Sequence, residues 1–514
     1  MNSNETGATA ESAAETVANL CEERELVVVS NREPYSHGRE GGEITVDRPA
    51  GGLTAALDPV MQAAAGTWVA WGDGDADREA VGPDDAVAVP PEDPAYDLRR
   101  VWLTDEQVEG YYRGYSNQVL WPLCHLDTAK MTPREKFWRR YRETNADFAD
   151  AILDSTDGAE SAPVVWFQDY HLALVPRAVR EERPEAFLTH FWHIPWPSWD
   201  VFRACPQYET LLDGLLANDL VGFHTDAYCR NFLDCVDAAT DARVDRSSRS
   251  VSYRDHRTFV RSFPLGIDAA RQADLAESDA ADEWWTKFRD ERGIAPKETV
   301  AVGVERLDYT KGIEQRLDAL ERFWEDNPEW RGELTYVQKG TESRSGIPAY
   351  DALQDRVADA VEGINDRFGT EEWTPVVYTT DHLPEEGIAA LYREADLGLV
   401  TPVRDGMNLV AKEFAAAQTR DPGVLVLSEL AGATEQLGEE SVLVHPYDTA
   451  GFTERIGEAL SLSRTERRRR AADLQRAVHA EDVYDWLEST FETAAAIERG
   501  RRSVRTAGPQ PTDD

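Results

Sequence analysis

Two stretches carry the residue types that handle phosphate and sugar. In "VERLDYTKG" (304–312), Arg306 and Lys311 stand five residues apart across a short loop that leads into a helical pattern. Two cations at a helix start suit a diphosphate, because the unpaired N–H donors and the helix dipole add to their charge. The bland reading of the same residues is a surface pair of Arg306 with Asp308. In "TPVRDGMNLVAKEF" (401–414), Gly406 permits close backbone approach to a ligand and Asp405 can accept hydrogen bonds from sugar hydroxyls. Glu413, one helical turn beyond Leu409, can reach a ribose diol. The alternative here is a tight turn capped by Asn408, with Glu413 on a solvated helix face. Read singly, neither stretch decides.

The first half of the chain offers weaker signals of the same kind. "SNREP" (30–34) ends an apolar run, and in "PAGGLTAAL" (49–57) the N–H groups of Gly51 and Gly52 can meet phosphate at a helix start. "VWFQDYHL" (165–172) places Asp169 at a strand end, and "HFWHIPWP" (190–197) does the same for His193, although a histidine so placed is more often structural. Two features are decoys. "DGDAD" (73–77) resembles an acidic metal motif against an acidic background, and Cys229 and Cys235 near His224 lack zinc spacing.

Strand ends matter only if strands exist, and the pattern supplies them. Eleven short apolar runs alternate with helical stretches: 25–31, 67–72, 163–169, 186–193, 220–224, 299–306, 333–338, 375–380, 396–402, 423–429 and 441–446. Continuous Val/Leu runs bounded by turn residues predict parallel strands buried on both faces. The fold class is α/β, doubly wound, and 514 residues predict two domains facing across a cleft at their strand ends. "SFPLGIDAA" (262–270) marks the boundary. The expected division is an acidic disordered tail over 1–24, domains over 25–264 and 265–480, a helix over 481–499 crossing back to the first domain, and a disordered tail over 500–514.

Composition narrows the partners. There are 96 acidic against 54 basic residues, a net charge of −42, and only seven of the bases are lysines. That excludes nucleic acid and anionic membranes as general partners. Such a charge repels itself in dilute buffer and is screened at molar salt, which points to a salt-rich cytoplasm. The five cysteines show no C-x-x-C spacing and are expected as buried thiols. No apolar stretch is long enough to span a membrane, and residues 1–20 lack the pattern of a signal peptide.

Taken in order, "SNREP", "PAGGL", "WVAWGD", "YYRGYSNQVLWPLCH", "VWFQDYHL", "HFWHIPWPS", "VERLDYTKG", "ESRSG", "TPVRDGMNLVAKEF" and "GVLVLSELAGA" resemble the motifs of the trehalose-6-phosphate synthases over roughly residues 25–499. The resemblance implies a GT-B fold of two Rossmann-like domains, no metal, no cofactor, and glucose transfer with retention from a nucleoside-diphosphate glucose, UDP-glucose foremost, to glucose 6-phosphate. It assigns Arg306 and Lys311 to the donor diphosphate, with Gly52 approaching it. Asp405 and the helix-opening run Gly406, Met407, Asn408 and Leu409 go to the donor glucose, Glu413 to the ribose, and His193 to the transferred glucose. Arg32, Tyr112 and Arg344 match the residues that grip the acceptor phosphate, and Trp121 and Asp169 those beside the acceptor sugar. Two guanidiniums and a phenol suit a phosphate dianion. Departures are Gln168, where some members carry histidine, and Glu342 in "ESR", where threonine is more familiar. Rival readings are a glucosylglycerol-phosphate synthase of the same fold and a catalytically silent sugar-phosphate sensor. No D-x-D-G-T-type motif follows residue 480, so removal of the phosphate is expected to fall to a separate enzyme. A homo-oligomer, dimer or tetramer, is a further expectation.

Overall fold

The computed structural model describes residues 10–21, 24–48, 52–159 and 161–507. It divides into two compact units, residues 1–264 with 483–514, and residues 265–482. In the first unit the strands are β1 (Leu26–Arg32), β2 (Ser36–Glu40), β3 (Glu43–Asp47), β4 (Thr67–Trp71), β5 (Ala86–Val89), β6 (Tyr96–Val101), β7 (Val164–Gln168), β8 (Phe187–Trp192), β9 (Leu220–Phe223), β10 (Arg243–Asp245), β11 (Ser250–Tyr253) and β12 (His256–Ser262). In the second they are β13 (Thr299–Arg306), β14 (Leu334–Thr341), β15 (Val376–Thr379), β16 (Leu397–Val400), β17 (Val424–Ser428) and β18 (Val442–Val444).

The second unit holds one six-stranded parallel sheet in the order β15-β14-β13-β16-β17-β18. Counted from its own first strand this is 3-2-1-4-5-6, the doubly wound order that opens a ligand crevice where the direction of winding reverses. That point lies between β13 and β16, the two strands that end in the Arg306–Lys311 and Thr401–Glu413 stretches. In the first unit a ten-stranded sheet runs β10-β11-β12-β9-β8-β7-β1-β4-β6-β5, parallel from β12 to β6 and antiparallel at both edges. Its own reversal lies between β1 and β7, whose ends carry Arg32 and Asp169. Every predicted apolar run is a strand, and the central ones are buried on both faces, as the seven-residue β1 is up to its last residue. Each fully buried valine or leucine contributes about 1.5–3 kcal/mol over an exposed one.

The expected tails are corrected in part. Ala10–Cys21 is a helix whose buried residues Ala13, Val17 and Leu20 recur at helical spacing and pack on the helices Gly52–Ala64 and Val483–Ala507. The last helix extends to Ala507, eight residues past the expected end, and belongs to the first unit. Its Trp486 and Phe491 pack on Trp166 of β7, with ring centroids 5.2 and 4.9 Å away. Residues 1–9 and 508–514, and Gly51 of the glycine pair, lie outside the described residues. All five cysteines are buried free thiols.

Candidate functional site

In the second unit the two predicted stretches meet. Lys311 Nζ donates to Asp405 Oδ2 at 2.5 Å, and Asn408 Nδ2 donates to the same oxygen at 3.1 Å. The loops are also joined through the backbone, since the N–H groups of Val403 and Arg404 donate to the Thr310 carbonyl. Gly312 makes this approach feasible: it has φ +69°, and a Cβ there would lie 2.2 Å from the Thr401 carbonyl oxygen. Beneath both loops Arg316 is fully buried. It donates to Thr401 Oγ1 (3.0 Å), the Lys311 carbonyl (3.2 Å), Glu305 (2.7 Å) and the Tyr336 hydroxyl (2.8 Å), so one guanidinium fixes two strand ends.

Asp308 is not a surface partner of Arg306. It is fully buried, accepts from Thr310 N and Oγ1, and forms an ion pair with Arg344 at 2.9 Å. Burial works to raise its carboxyl, but the charges of Arg344, Arg306 and Lys311 outweigh burial and hold it below the ordinary carboxylate range. Arg344 adopts φ +54°, and its side chain is almost wholly buried. Asp405 is braced from the other side, its N–H donating to the Leu430 carbonyl and its carbonyl accepting from Gly432 N–H. Asn408 adopts φ +85° and caps the helix Leu409–Ala417 by accepting from Ala411 N–H. The turn capped by Asn408 and the loop that carries Asp405 are thus one object. Met407 is buried, and Glu413 accepts from the Tyr392 hydroxyl at 3.1 Å, with burial raising its carboxyl.

In the first unit the sites cluster at the ends of β1, β7 and β8. Arg32 Nη2 donates to the Tyr112 hydroxyl at 3.4 Å, and the Tyr112 ring lies between Trp71 (5.6 Å) and His171 (5.9 Å). Trp121, on the same helical run, lies 5.9 Å from the Tyr170 ring. Asp169 has φ +73° and ψ 174°, a region that side chains other than glycine's occupy at a cost of about 1–3 kcal/mol. It is held there by its N–H donating to Phe191 O (2.7 Å) and by His190 Nε2 donating to its carbonyl (3.0 Å). Asp169, Arg344 and Asn408 are three of the nine non-glycine residues with positive φ among those described. The other six lie away from the candidate residues.

His193 Nε2 donates to Gln168 Oε1 at 2.8 Å, which leaves Nδ1 as an acceptor, and its carbonyl accepts from His224 Nε2 at 3.0 Å. Burial, then His224 and His190, push its basicity well below the ordinary histidine value, so the ring is neutral at physiological pH. Gly52 is the first residue of its helix, as the glycine-pair reading requires. The "DGDAD" run is structural at Asp77: buried, it accepts from His37 N–H, Gly74 N–H and Arg100 Nη2. Among the described residues no group of three or more His, Cys, Asp or Glu is arranged to hold a metal.

Besides Arg316, three participants were not singled out from the sequence. Gln168 was noted only as a departure, yet it orients His193. Trp486 arrives from the last helix, its ring 6.3 Å from that of His193. Lys412, inside the motif itself, is fully buried and donates to the Leu265 carbonyl at 2.8 Å. A lysine flanked on a helix by Leu409, Val410, Ala411 and Phe414 was the available signal.

A family model described as Glycosyltransferase family 20 matches residues 24–496. A bifunctional trehalose-6-phosphate synthase/phosphatase of Thermoproteus tenax is 36% identical over 493 residues, covering 94% of this chain, while the chain spans 65% of that relative's length. A trehalose-6-phosphate synthase of Mycobacterium sp. (strain KMS) is 36% identical over 489 residues, 94% of this chain and 97% of the relative. The solved UDP-forming α,α-trehalose-phosphate synthase of Burkholderia xenovorans in complex with glucose 6-phosphate aligns with a TM-score of 0.80 at 28% identity, covering 91% of this chain and 99% of that one. The loops at the two sheet reversals and the match along nearly the whole chain agree: this protein belongs to glycosyltransferase family 20.

Proposed function

We propose that this chain moves glucose from UDP-glucose to glucose 6-phosphate with retention, yielding α,α-trehalose 6-phosphate and UDP. The bond from the donor's anomeric carbon to the diphosphate oxygen breaks, and a bond from that carbon to the acceptor's anomeric oxygen forms on the same face. The acceptor's hydroxyl proton passes to the departing diphosphate. No protein nucleophile is needed; charge stabilisation and proximity do the work. Arg306 and Lys311 stabilise the leaving diphosphate, which Gly52 N–H also approaches. Asp405 and the N–H groups of Gly406 to Leu409 hold the donor glucose, Glu413 the ribose, and the neutral His193 ring accepts from a hydroxyl of the transferred sugar. Arg32, Tyr112 and Arg344 take the acceptor phosphate, Trp121 and Asp169 the acceptor ring.

The observation that carries this reading is the Lys311–Asp405 pair at the sheet reversal of the second unit, a cation for phosphate and a carboxylate for sugar fixed within one hydrogen bond. The test is incubation of the purified protein at high KCl with glucose 6-phosphate and, separately, glycerol 3-phosphate, each against UDP-, GDP- and ADP-glucose. Trehalose 6-phosphate from the UDP donor is expected. Product from glycerol 3-phosphate alone refutes the acceptor assignment.

The net charge of −42 supports a further part of the proposal, that the enzyme works in a salt-rich cytoplasm and supplies a compatible solute. The Debye length falls from about 8 Å at physiological ionic strength to about 3 Å at 1 M, which removes most self-repulsion between surface carboxylates. Turnover and melting temperature should both rise between 0.15 M and 2 M KCl; maxima at 0.15 M contradict salt adaptation. Size-exclusion chromatography in the same buffers distinguishes the proposed dimer or tetramer from a monomer.

A further inference from the structure

A thirteen-residue π-helix runs from Val108 to Leu120, continuous with short α-helical turns at Asp105–Gln107 and Trp121–Cys124. π-Helix is rare and mostly confined to single-turn bulges, frequently at functional sites, so a run of this length needs a local cause and a use.

The use follows from winding. Tyr112 and Trp121, the two acceptor residues on this segment, are nine positions apart. In an α-helix of about 3.6 residues per turn, nine positions make about two and a half turns and leave the side chains on opposite faces. A ladder of i→i+5 bonds winds roughly 4.4 residues per turn, so nine positions make about two full turns and both side chains fall on one face. The rings bear this out. Tyr112 stacks on His171 at 5.9 Å, His171 on Tyr170 at 4.0 Å, and Tyr170 lies 5.9 Å from Trp121, a single aromatic file joining the two ends.

The cause centres on Asn117, which is 1% exposed. Its Nδ2 donates at 2.8 Å to the Tyr112 carbonyl, five residues back and the same acceptor that an i→i+5 ladder assigns to residue 117. Its Oδ1 accepts from the Tyr170 hydroxyl at 3.0 Å. One buried amide therefore ties the Tyr112 peptide to the ring against which Trp121 packs. Gln118 makes the corresponding bond to the Arg113 carbonyl at 3.0 Å, but at an exposed position where water competes. At the far end the N–H of Trp121 still reaches the Ser116 carbonyl, so the wide register persists to the tryptophan.

We propose that Asn117 is a positioning residue for the acceptor: by locking the π register it keeps Tyr112 and Trp121 on one face, so that the phosphate and the ring of one hexose phosphate are read together. The inference rests on the acceptor roles proposed above for those two residues.

Initial rates for wild type, Asn117→Ala and Tyr170→Phe, with each substrate varied at saturating levels of the other, test it. Asn117→Ala should raise KM for glucose 6-phosphate about tenfold, equivalent to about 1.4 kcal/mol. KM for UDP-glucose should stay within about twofold and kcat within about threefold. Tyr170→Phe, which withdraws only the hydroxyl that Asn117 accepts, should shift the same constant about threefold in the same direction. Unchanged acceptor KM in both variants overturns the proposal, as does a parallel rise in both KM values, the mark of a general structural role. If Asn117→Ala does not fold, Tyr170→Phe decides by the same criterion. A wild-type enzyme silent on glucose 6-phosphate overturns the functional reading, and this inference with it; an active wild type with unaffected variants overturns this inference alone.

Discussion

Replacing Lys311 by methionine keeps most of the unbranched apolar stem and deletes the charged end, and its two consequences separate cleanly. Nζ lies 2.5 Å from Asp405 Oδ2, with the two side chains 13% and 14% exposed, so the pair is largely shielded from bulk ions. At an effective dielectric near 20, unit charges about 4 Å apart interact by about 4 kcal/mol. An ammonium facing the oxygen on which charge develops acts on the transition state with comparable strength. Deleting it should lower kcat by about 10²–10³, in line with the loss of one preorganised electrostatic donor. Stability should also fall, by about 1–3 kcal/mol, because Asp405 keeps a charge in a shielded place after losing its ammonium.

The second substitution distinguishes the two effects. Lys311→Met with Asp405→Asn removes both charges, leaves Asn408 Nδ2 an amide oxygen to bond, and should recover most of the melting temperature lost in the single variant. It should recover none of the turnover, since neither the phosphate clamp nor the sugar acceptor returns. Melting curves and steady-state rates on wild type, Lys311→Met, Asp405→Asn and the double variant at high KCl provide the cycle. A single variant retaining kcat within tenfold of wild type, or a double variant that regains turnover along with stability, would refute the assignment of Lys311 to the leaving group.

Two further perturbations test the frame of the same site. Burial, opposed weakly by Glu481, pushes the Lys412 amine down to about 8 from its ordinary 10.5, so the folded chain binds fewer protons than the unfolded one between those values. Its contribution is therefore full above pH 10.5 and is lost as pH falls towards 8; relative to Lys412→Met, wild-type stability should climb by about 3 kcal/mol across that window, and a flat difference curve contradicts the reading. Gly312→Ala sets a Cβ 2.2 Å from the Thr401 carbonyl oxygen at φ +69°, so it should cost at least about 2 kcal/mol and lower kcat by shifting the Lys311 loop; wild-type melting and turnover in that variant refute the close approach.

What was legible in the sequence was whatever depends on apolar period and strand ends. The eleven Val/Leu runs are strands because parallel strands buried on both faces leave little room for polar residues. The flank of the first sheet was not legible: β6, "YDLRRV", paired between β4 and the edge strand β5, carries Asp97, Arg99 and Arg100, yet Arg100 is buried because Asp77 neutralises it and Glu33 accepts from it. The π-helix was hidden for a different reason. Its tyrosines at 111 and 115 face the helix Glu135–Ser155 at a spacing that suits either register, and only the pair Tyr112 and Trp121 distinguishes them. Likewise Gln168 and Arg316 bond to partners from distant parts of the chain, and nothing in their neighbours in sequence announces the contact. The tail helix Ala10–Cys21 was masked by an acidic, Ala-rich composition that reads as disorder until Val17 and Leu20 are given a surface to pack on.

The distribution of charge bears on why the site is built as it is. In the salt-rich solvent proposed above, an exposed carboxylate or guanidinium is screened within a few ångströms, which lets the surface carry a large acidic excess but also makes exposed charge useless for steering a reacting group. Charges that act on a substrate must then be withdrawn from the ions. The second unit does this: Asp308 and Arg316 are fully buried, Arg344 nearly so, and Lys311 and Asp405 mostly so. Each burial costs desolvation, and each is offset by partners fixed in place before any ligand arrives, Arg344 by Asp308, Arg316 by Glu305 and Thr401, Lys311 by Asp405. In the proposed donor site, a diphosphate would replace one of these partners instead of recruiting a flexible side chain from water. On the proposed reading, the electrostatic work of the transfer is thereby insulated from the ionic strength of a salt-rich solvent.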